Sequence, residues 1–186
     1  MADHAASPNI ERVFLTGEPG CGKTTVVRKT AELLASRGLK VGGMMSNEVR
    51  ERGTRVGFCI EDLLTHQRGM LSDVSPSEGP RVGKYRVNLG DLEGIGAAGI
   101  RKAIDSADLV VIDEVGPMEL KSGLFVESVR AALNSKKSIL GTIHRRASSD
   151  LILEVRSNPK VAILEVTLGN RETLPVLLAD KIIGTG

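Results

Sequence analysis

The sequence has no tryptophan, one tyrosine and three phenylalanines, too few rings for the successive base stacking on which single-strand nucleic-acid binders depend. Its two cysteines, Cys21 and Cys59, stand far apart, in neither a CxxC spacing nor a Cys/His cluster. A disulfide framework and a structural zinc site are therefore not expected. No uninterrupted apolar run approaches the roughly 20 residues of a membrane helix. Residues 1–9 lack the apolar core of a secretory signal, so a cytoplasmic protein without a membrane partner is expected. Charge of one sign is also missing: 25 basic against 23 acidic side chains leave +2, without the cation surplus that neutralises a nucleic-acid backbone.

What is present is 186 residues of ordinary globular composition, 41% hydrophobic and 26% charged, the length of one domain with a sizeable core. That domain is expected to span 1–186, with 1–9 disordered. Residues 10–16 read as a buried strand, 17–22 as a glycine loop, and 23–37 as a helix whose Val26, Val27, Thr30, Leu33 and Leu34 recur at helical spacing. Gly38 stops that helix and 39–45 resumes as a strand, a βαβ opening that implies a parallel sheet. Between 46 and 90 the rhythm changes. Strands at 55–60 and 84–89 flank a Gly-, Pro- and Ser-rich stretch at 70–83, which reads as an antiparallel hairpin insertion with mobile loops. Asp91 is placed to cap a helix running to 106, with Leu92, Ile95, Ile100, Ala103 and Ile104 on its buried face. Strands at 109–112, 138–143 and 161–166 then alternate with helices at 123–134, 147–157 and 171–183. The sum is an α/β three-layer fold with a mainly parallel sheet.

Gly17-Glu18-Pro19-Gly20-Cys21-Gly22-Lys23-Thr24, followed by Thr25, fits GxxxxGK[ST] between a predicted strand and a predicted helix. In such a loop, backbone N–H groups wrap phosphates at a helix start. Gly17 and Gly22 allow torsions and close approach that a Cβ would block, Lys23 reaches the β- and γ-phosphates, and the Thr24 hydroxyl is a ligand for Mg²⁺. The expected partner is a nucleoside triphosphate.

Leu109-Val110-Val111-Ile112-Asp113-Glu114 puts two carboxylates where a buried parallel strand emerges at its carboxyl end, the edge at which α/β sheets bind ligands. Asp113, as the Walker B residue, is expected to hold Mg²⁺ through its water shell, because that ion uses few protein carboxylates. Glu114 is suited to orient and deprotonate water in line with the γ-phosphate.

Taken together, the stretches GEPGCGKTT, SNEVRERGTRVGF, VGKYRVNL, VIDEVGPMEL and GTIHRR and the pair Asn170-Arg171 closely resemble the cancer-related nucleoside-triphosphatase family, small P-loop enzymes of archaea, bacteria and vertebrates. The resemblance covers most of the chain from Ile10 to Ile183. It implies a RecA-like P-loop fold of the catalytic-glutamate class, with a further strand between the two motif strands. It also implies Mg²⁺-dependent hydrolysis of ATP, GTP and other nucleoside triphosphates, with little selectivity among bases. On the motif match, 17–25 and Leu109, Val110, Val111, Ile112, Asp113, Glu114, Val115 and Gly116 are nucleotide-binding segments, with Lys23 and Glu114 catalytic. Cys21 stands where that family usually has Val, and Val115 where Ile is common; neither is a group the chemistry needs.

Other residues have two readings. His144, Arg145 and Arg146 follow a predicted strand at the same edge, as γ-phosphate sensors or as a solvated basic loop. Glu48, Arg50, Arg52 and Arg55 either close over the phosphates or form a surface charge network. Asn170 reads as the cap of the last helix, Cys21 as a small loop filler, and Met118 as packing. Two other functions use the same machinery: a small-molecule or nucleoside kinase, with the 46–90 segment as acceptor pocket, and a partner-regulated nucleic-acid or assembly ATPase. A monomer is expected.

Overall fold

The computed structural model describes residues 11–75 and 78–184; the disorder expected at 1–9 lies outside them. Its nine strands form one sheet in the order β5-β6-β4-β3-β2-β7-β8-β1-β9. Five strands run parallel: β2 (Val41–Glu51), β7 (Leu109–Val115), β8 (Ser138–Ile143), β1 (Arg12–Thr16) and β9 (Ala162–Glu165). The remaining four, β3 (Thr54–Asp62), β4 (Arg68–Asp73), β5 (Arg81–Val82) and β6 (Tyr85–Val87), add antiparallel beyond β2.

Side-chain alternation along the parallel strands builds two cores. Val13 and Leu15 of β1, with Leu109 and Val111 of β7, pack under α1 (Lys23–Ser36) and α6 (Leu174–Ile183). Phe14, Val110 and Ile112 face the other way, into a core completed by α3 (Ala98–Ser106), α4 (Gly123–Asn134) and α5 (Asp150–Ser157). Leu109, Val110, Val111 and Ile112 are all 0% exposed, and each such side chain contributes on the order of 2 kcal/mol of burial. The apolar runs that mark β1, β7 and β8 in the sequence are those of strands covered on both faces.

Four local expectations are corrected. The stretch at 70–83 is not only loop: β4 and β5 occupy much of it, so the segment is a four-strand extension rather than a single hairpin. The helix leading to Ser106 is capped by Asn88, whose Oδ1 accepts from Asp91 N–H at 3.1 Å. It opens with α2 (Leu89–Asp91) and passes through a π-helical stretch, Leu92–Ala97, while the Asp91 carboxylate accepts from Met70 N–H at 2.8 Å. α5 starts at Asp150 because His144 Nδ1 accepts from the Ala147 N–H at 3.0 Å and Ser149 Oγ caps Ile152 N–H at 3.2 Å. Asn170 does not cap the last helix: its side chain turns back, accepting from Thr167 N–H and donating to the Glu165 carbonyl, and α6 begins at Leu174.

Candidate active site

The carboxyl ends of β1, β7 and β8 lie side by side, with β8 between the other two. This brings the glycine loop, the acidic pair and the His-Arg-Arg turn to one edge. In the loop, Gly17, Gly20 and Gly22 have φ of 146, 79 and 107°, a region that residues with a Cβ seldom adopt. At Gly17 a Cβ would stand 2.6 Å from the Val166 carbonyl oxygen and 2.9 Å from Cys21 Sγ. Buried Cys21 is thus the small filler beneath Gly17. The first bond of α1 runs from Val26 N–H to the Gly22 carbonyl; the N–H groups of Lys23, Thr24 and Thr25 precede it and have no intrahelical acceptor. Lys23 Nζ folds back over the loop, donating to the carbonyls of Gly17 at 3.2 Å and Glu18 at 3.4 Å. Glu18, Pro19, Gly20 and Thr25 are exposed.

Asp113 is 0% exposed, near the carboxyl end of β7. Thr142 Oγ1 of β8 donates to its Oδ1 at 2.7 Å, while Oδ2 is buried without a hydrogen-bond partner. Burial pushes Asp113 up to about 6 against the opposing pull of the Thr142 and Thr24 hydroxyls; Glu114 adds to the rise and Lys23 works against it. Glu114, partly exposed, is also raised by burial, with the Lys23 ammonium opposing. Lys23, Thr24, Asp113 and Glu114 are thus within electrostatic reach of one another. Leu109, Val110, Val111 and Ile112 are not brought to the site: all four are packed into the two cores, as is Val115, so this segment reaches the edge only through Asp113, Glu114 and Gly116.

His144 leaves β8 beside them. Its Nδ1 accepts from the N–H groups of Arg146 and Ala147, which puts the proton of the neutral ring on Nε2. Burial, then the charges of Lys23 and Arg146, hold its pKa below the ordinary imidazole value. Arg145 bridges outward, 2.7 Å from Glu18 of the glycine loop and 3.2 Å from Glu165 of β9, and Arg146 is exposed on the same turn. The Glu48 cluster lies where the end of β2 pairs antiparallel with β3. Arg50 and Arg55 are ion-paired to Glu48, and Arg55 lies over the Phe58 and Tyr85 rings. Met118 packs on the α3/α4 core.

Arg171, which with Asn170 carries part of the family resemblance, lies with Cδ 3.5 Å from where a Gly22 Cβ would be. Two residues beside the site receive no role from the sequence. One is Thr142, because a threonine inside a buried strand does not reveal the carboxylate on the neighbouring strand. The other is Glu119, in the turn after β7, only 4% exposed. Burial first, then the charges of Glu114 and Asp113, push it up to about 8, although the N–H groups of Glu119 and Gly116 oppose this. An acid between Met118 and Leu120 was the available hint.

A family model described as NTPase matches residues 12–179. The nucleoside-triphosphatase THEP1 of Thermofilum pendens is 53% identical over 170 residues, covering 91% of this chain and 93% of that protein. The protein of the same name from Methanosarcina barkeri is 48% identical over 171 residues, covering 91% and 96%. Among solved structures, THEP1 from the hyperthermophile Aquifex aeolicus superposes with a TM-score of 0.83 at 30% identity, covering 93% of this chain and 99% of that one. A human cancer-related nucleoside triphosphatase gives 0.75 at 40% identity, covering 90% and 95%.

Proposed function

The chain belongs to that nucleoside-triphosphatase family, and from this premise we propose that it hydrolyses ATP, GTP and other nucleoside triphosphates to diphosphate and phosphate with Mg²⁺. The observation that carries the reading is Asp113: a carboxylate buried at a strand end, one oxygen held by Thr142 and the other without a partner, beside the Thr24 hydroxyl and the Lys23 ammonium. An unpartnered buried carboxylate oxygen is costly unless something binds it. One carboxylate plus one hydroxyl suits Mg²⁺, which keeps most of its waters and takes further oxygens from phosphates. Among the described residues no group of three or more His, Cys, Asp or Glu could hold a metal alone, which fits such a shared site. Bound there, Mg²⁺ would offset charge on the β- and γ-phosphates.

The chain's own groups account for the rest. The N–H groups at the start of α1 face the phosphates, and Lys23 exchanges the Gly17 and Glu18 carbonyls for phosphate oxygens. Glu114 accepts a proton from a water whose oxygen bonds to the γ-phosphorus as the bond to the bridging β–γ oxygen breaks. His144 Nε2–H, Arg145 and Arg146 are the donors at the same edge for charge that develops on the γ-phosphoryl oxygens. Low base selectivity accompanies this reading, since four aromatic side chains serve the entire chain. We further read the chain as a single domain, monomeric and cytoplasmic, with no nucleic-acid partner; no helix among the described residues is long and apolar enough to cross a membrane.

The test is phosphate release from several triphosphates by the wild type and Glu114→Gln. Removing a general base should lower turnover by about two decades or more with nucleotide affinity retained. Wild-type turnover in Glu114→Gln would remove the base. Labelled phosphate appearing on a metabolite from an added extract, in place of free phosphate, would make the protein a kinase.

A further inference from the structure

Strand order sets the direction of a bound triphosphate. β1, which leads into the glycine loop, stands between β8 and β9, and β7 with Asp113 and Glu114 lies beyond β8. A row of phosphates that begins at the loop and ends over the β7 carboxylates therefore points its nucleoside the other way, toward the segment after β9. That segment is built onto the loop. Val166 N–H donates to the Thr16 carbonyl at 2.8 Å, and its own carbonyl oxygen stands 2.6 Å from where a Gly17 Cβ would be. Asn170 cross-links the turn from within: Oδ1 accepts from Thr167 N–H at 2.8 Å, Nδ2 donates to the Glu165 carbonyl at 2.9 Å, and the Thr167 carbonyl accepts from Arg171 N–H at 3.1 Å. Leu168 and Gly169 are left at the tip. Arg171 lies over Gly22, with Cδ 3.5 Å and Cβ 4.0 Å from where a Cβ there would stand. Its Nε is 3.3 Å from one oxygen of Glu172, whose other oxygen meets Lys29 of α1 at 3.0 Å.

Leu168 is 72% exposed, more than any other large apolar side chain among the described residues. A lone exposed leucine is ordinary on a surface. This one stands on a turn held from within, next to a tethered guanidinium, on the side to which the strand order sends the nucleoside. The aromatic rings are elsewhere: Phe14 and Phe125 are 0% exposed in the core, and Phe58 and Tyr85 pack on each other with centroids 5.5 Å apart in the antiparallel extension. A base at this edge has no ring on which to stack. We propose that Leu168 and Arg171 form the base subsite, where the purine or pyrimidine ring rests against the Leu168 side chain and the planar Arg171 guanidinium, the cation that stacks on π-faces. Every base has such a face, and neither side chain so placed reads a hydrogen-bonding edge. The subsite therefore tightens nucleoside triphosphates without choosing strongly among them. This rests on the reading of the glycine loop as the phosphate site.

The experiment combines equilibrium titration with steady-state phosphate release, both with Mg²⁺, for ATP, GTP, CTP and inorganic tripolyphosphate, which carries three phosphates without a nucleoside. Leu168→Ser removes the apolar contact from an exposed position, where it does not disturb the core; Arg171→Lys keeps the charge and removes the plane. Each should weaken all three nucleotides by about threefold to tenfold. KM should rise by the same factor with kcat held within about twofold, as when a contact is equal in ground and transition states. Tripolyphosphate should bind both variants as it binds the wild type. Unchanged nucleotide affinity in either variant overturns the subsite, and so does an equal loss for tripolyphosphate in Arg171→Lys, which would make Arg171 a phosphate contact. Lys23→Ala separates this inference from the reading beneath it. If that variant binds ATP and tripolyphosphate like the wild type, the phosphate site and the subsite fall together; if it loses both while Leu168→Ser and Arg171→Lys lose nothing, the subsite alone falls.

Discussion

A carboxyl raised by burial must make stability depend on pH, and Glu119→Gln isolates that dependence. The group moves from 4.5 to about 8 on folding, so between those values the unfolded chain has lost the proton while the folded protein retains it. The sign follows. The unfolded state binds fewer protons there, and the stability present below pH 4.5 is lost as pH rises through about 8. At about 1.4 kcal/mol per pH unit, the wild type gives up about 3 kcal/mol between pH 5 and pH 7.5 through this group. Glutamine has nothing to ionise. Asp113 and Glu114 titrate in both proteins and largely cancel in the comparison. Urea unfolding at pH 5, 6, 7 and 7.5 should therefore show Glu119→Gln gaining on the wild type by about 3 kcal/mol across the series, or about 6–12 °C in thermal midpoint for a chain of this size. Parallel curves would mean that Glu119 ionises as readily folded as unfolded, which burial without a cation does not allow.

Lys23→Ala should weaken triphosphate binding and turnover together, and near-normal affinity by equilibrium titration would count against the glycine loop as the phosphate site. Thr142→Val strips Asp113 Oδ1 of its donor, and loss of such a supporting contact should raise the Mg²⁺ concentration for half-maximal activity by about tenfold or more; an unchanged Mg²⁺ titration would remove Thr142 from that role. Gly43→Ala tests the sheet itself: its Cβ would stand 2.0 Å from the Val111 carbonyl oxygen at φ 110°, and it should cost about 3 kcal/mol or more by urea unfolding, whereas a wild-type midpoint would mean that β2 and β7 separate easily.

Most of the parallel half was legible because its signals are local. Gly123–Asn134 and Ser138–Ile143 follow from an apolar face and a β-branched run, and the glycine loop from its fixed spacing. The sequence reading and the structure differ where a side chain answers to a partner outside its own helix. Asp91 looked like a cap, but its carboxylate is taken by Met70, which leaves the cap to Asn88. Asn170 had the right neighbours to start a helix, yet it serves the end of β9. β4 and β5 hide among turn residues because short strands on an antiparallel extension need little apolar alternation. In the site, Asp113 and Glu114 were legible from the strand that precedes them. Thr142 and Glu119 were not, since depth of burial and cross-strand register belong to the fold.

That depth is what separates three acids lying within one stretch of seven residues. Asp113 is buried but offered two hydroxyls, and so stops at about 6 with one oxygen to spare; Glu114 is nearer solvent and faces an ammonium; Glu119 has neither cation nor solvent and goes to about 8. The same functional group is thereby shifted to different degrees by what surrounds it, not by its own chemistry. A methyl group on Gly116 would stand 2.7 Å from Glu114 Oε1 and 3.1 Å from Glu119 Oε2, so the carboxyl groups there would have to move to admit it.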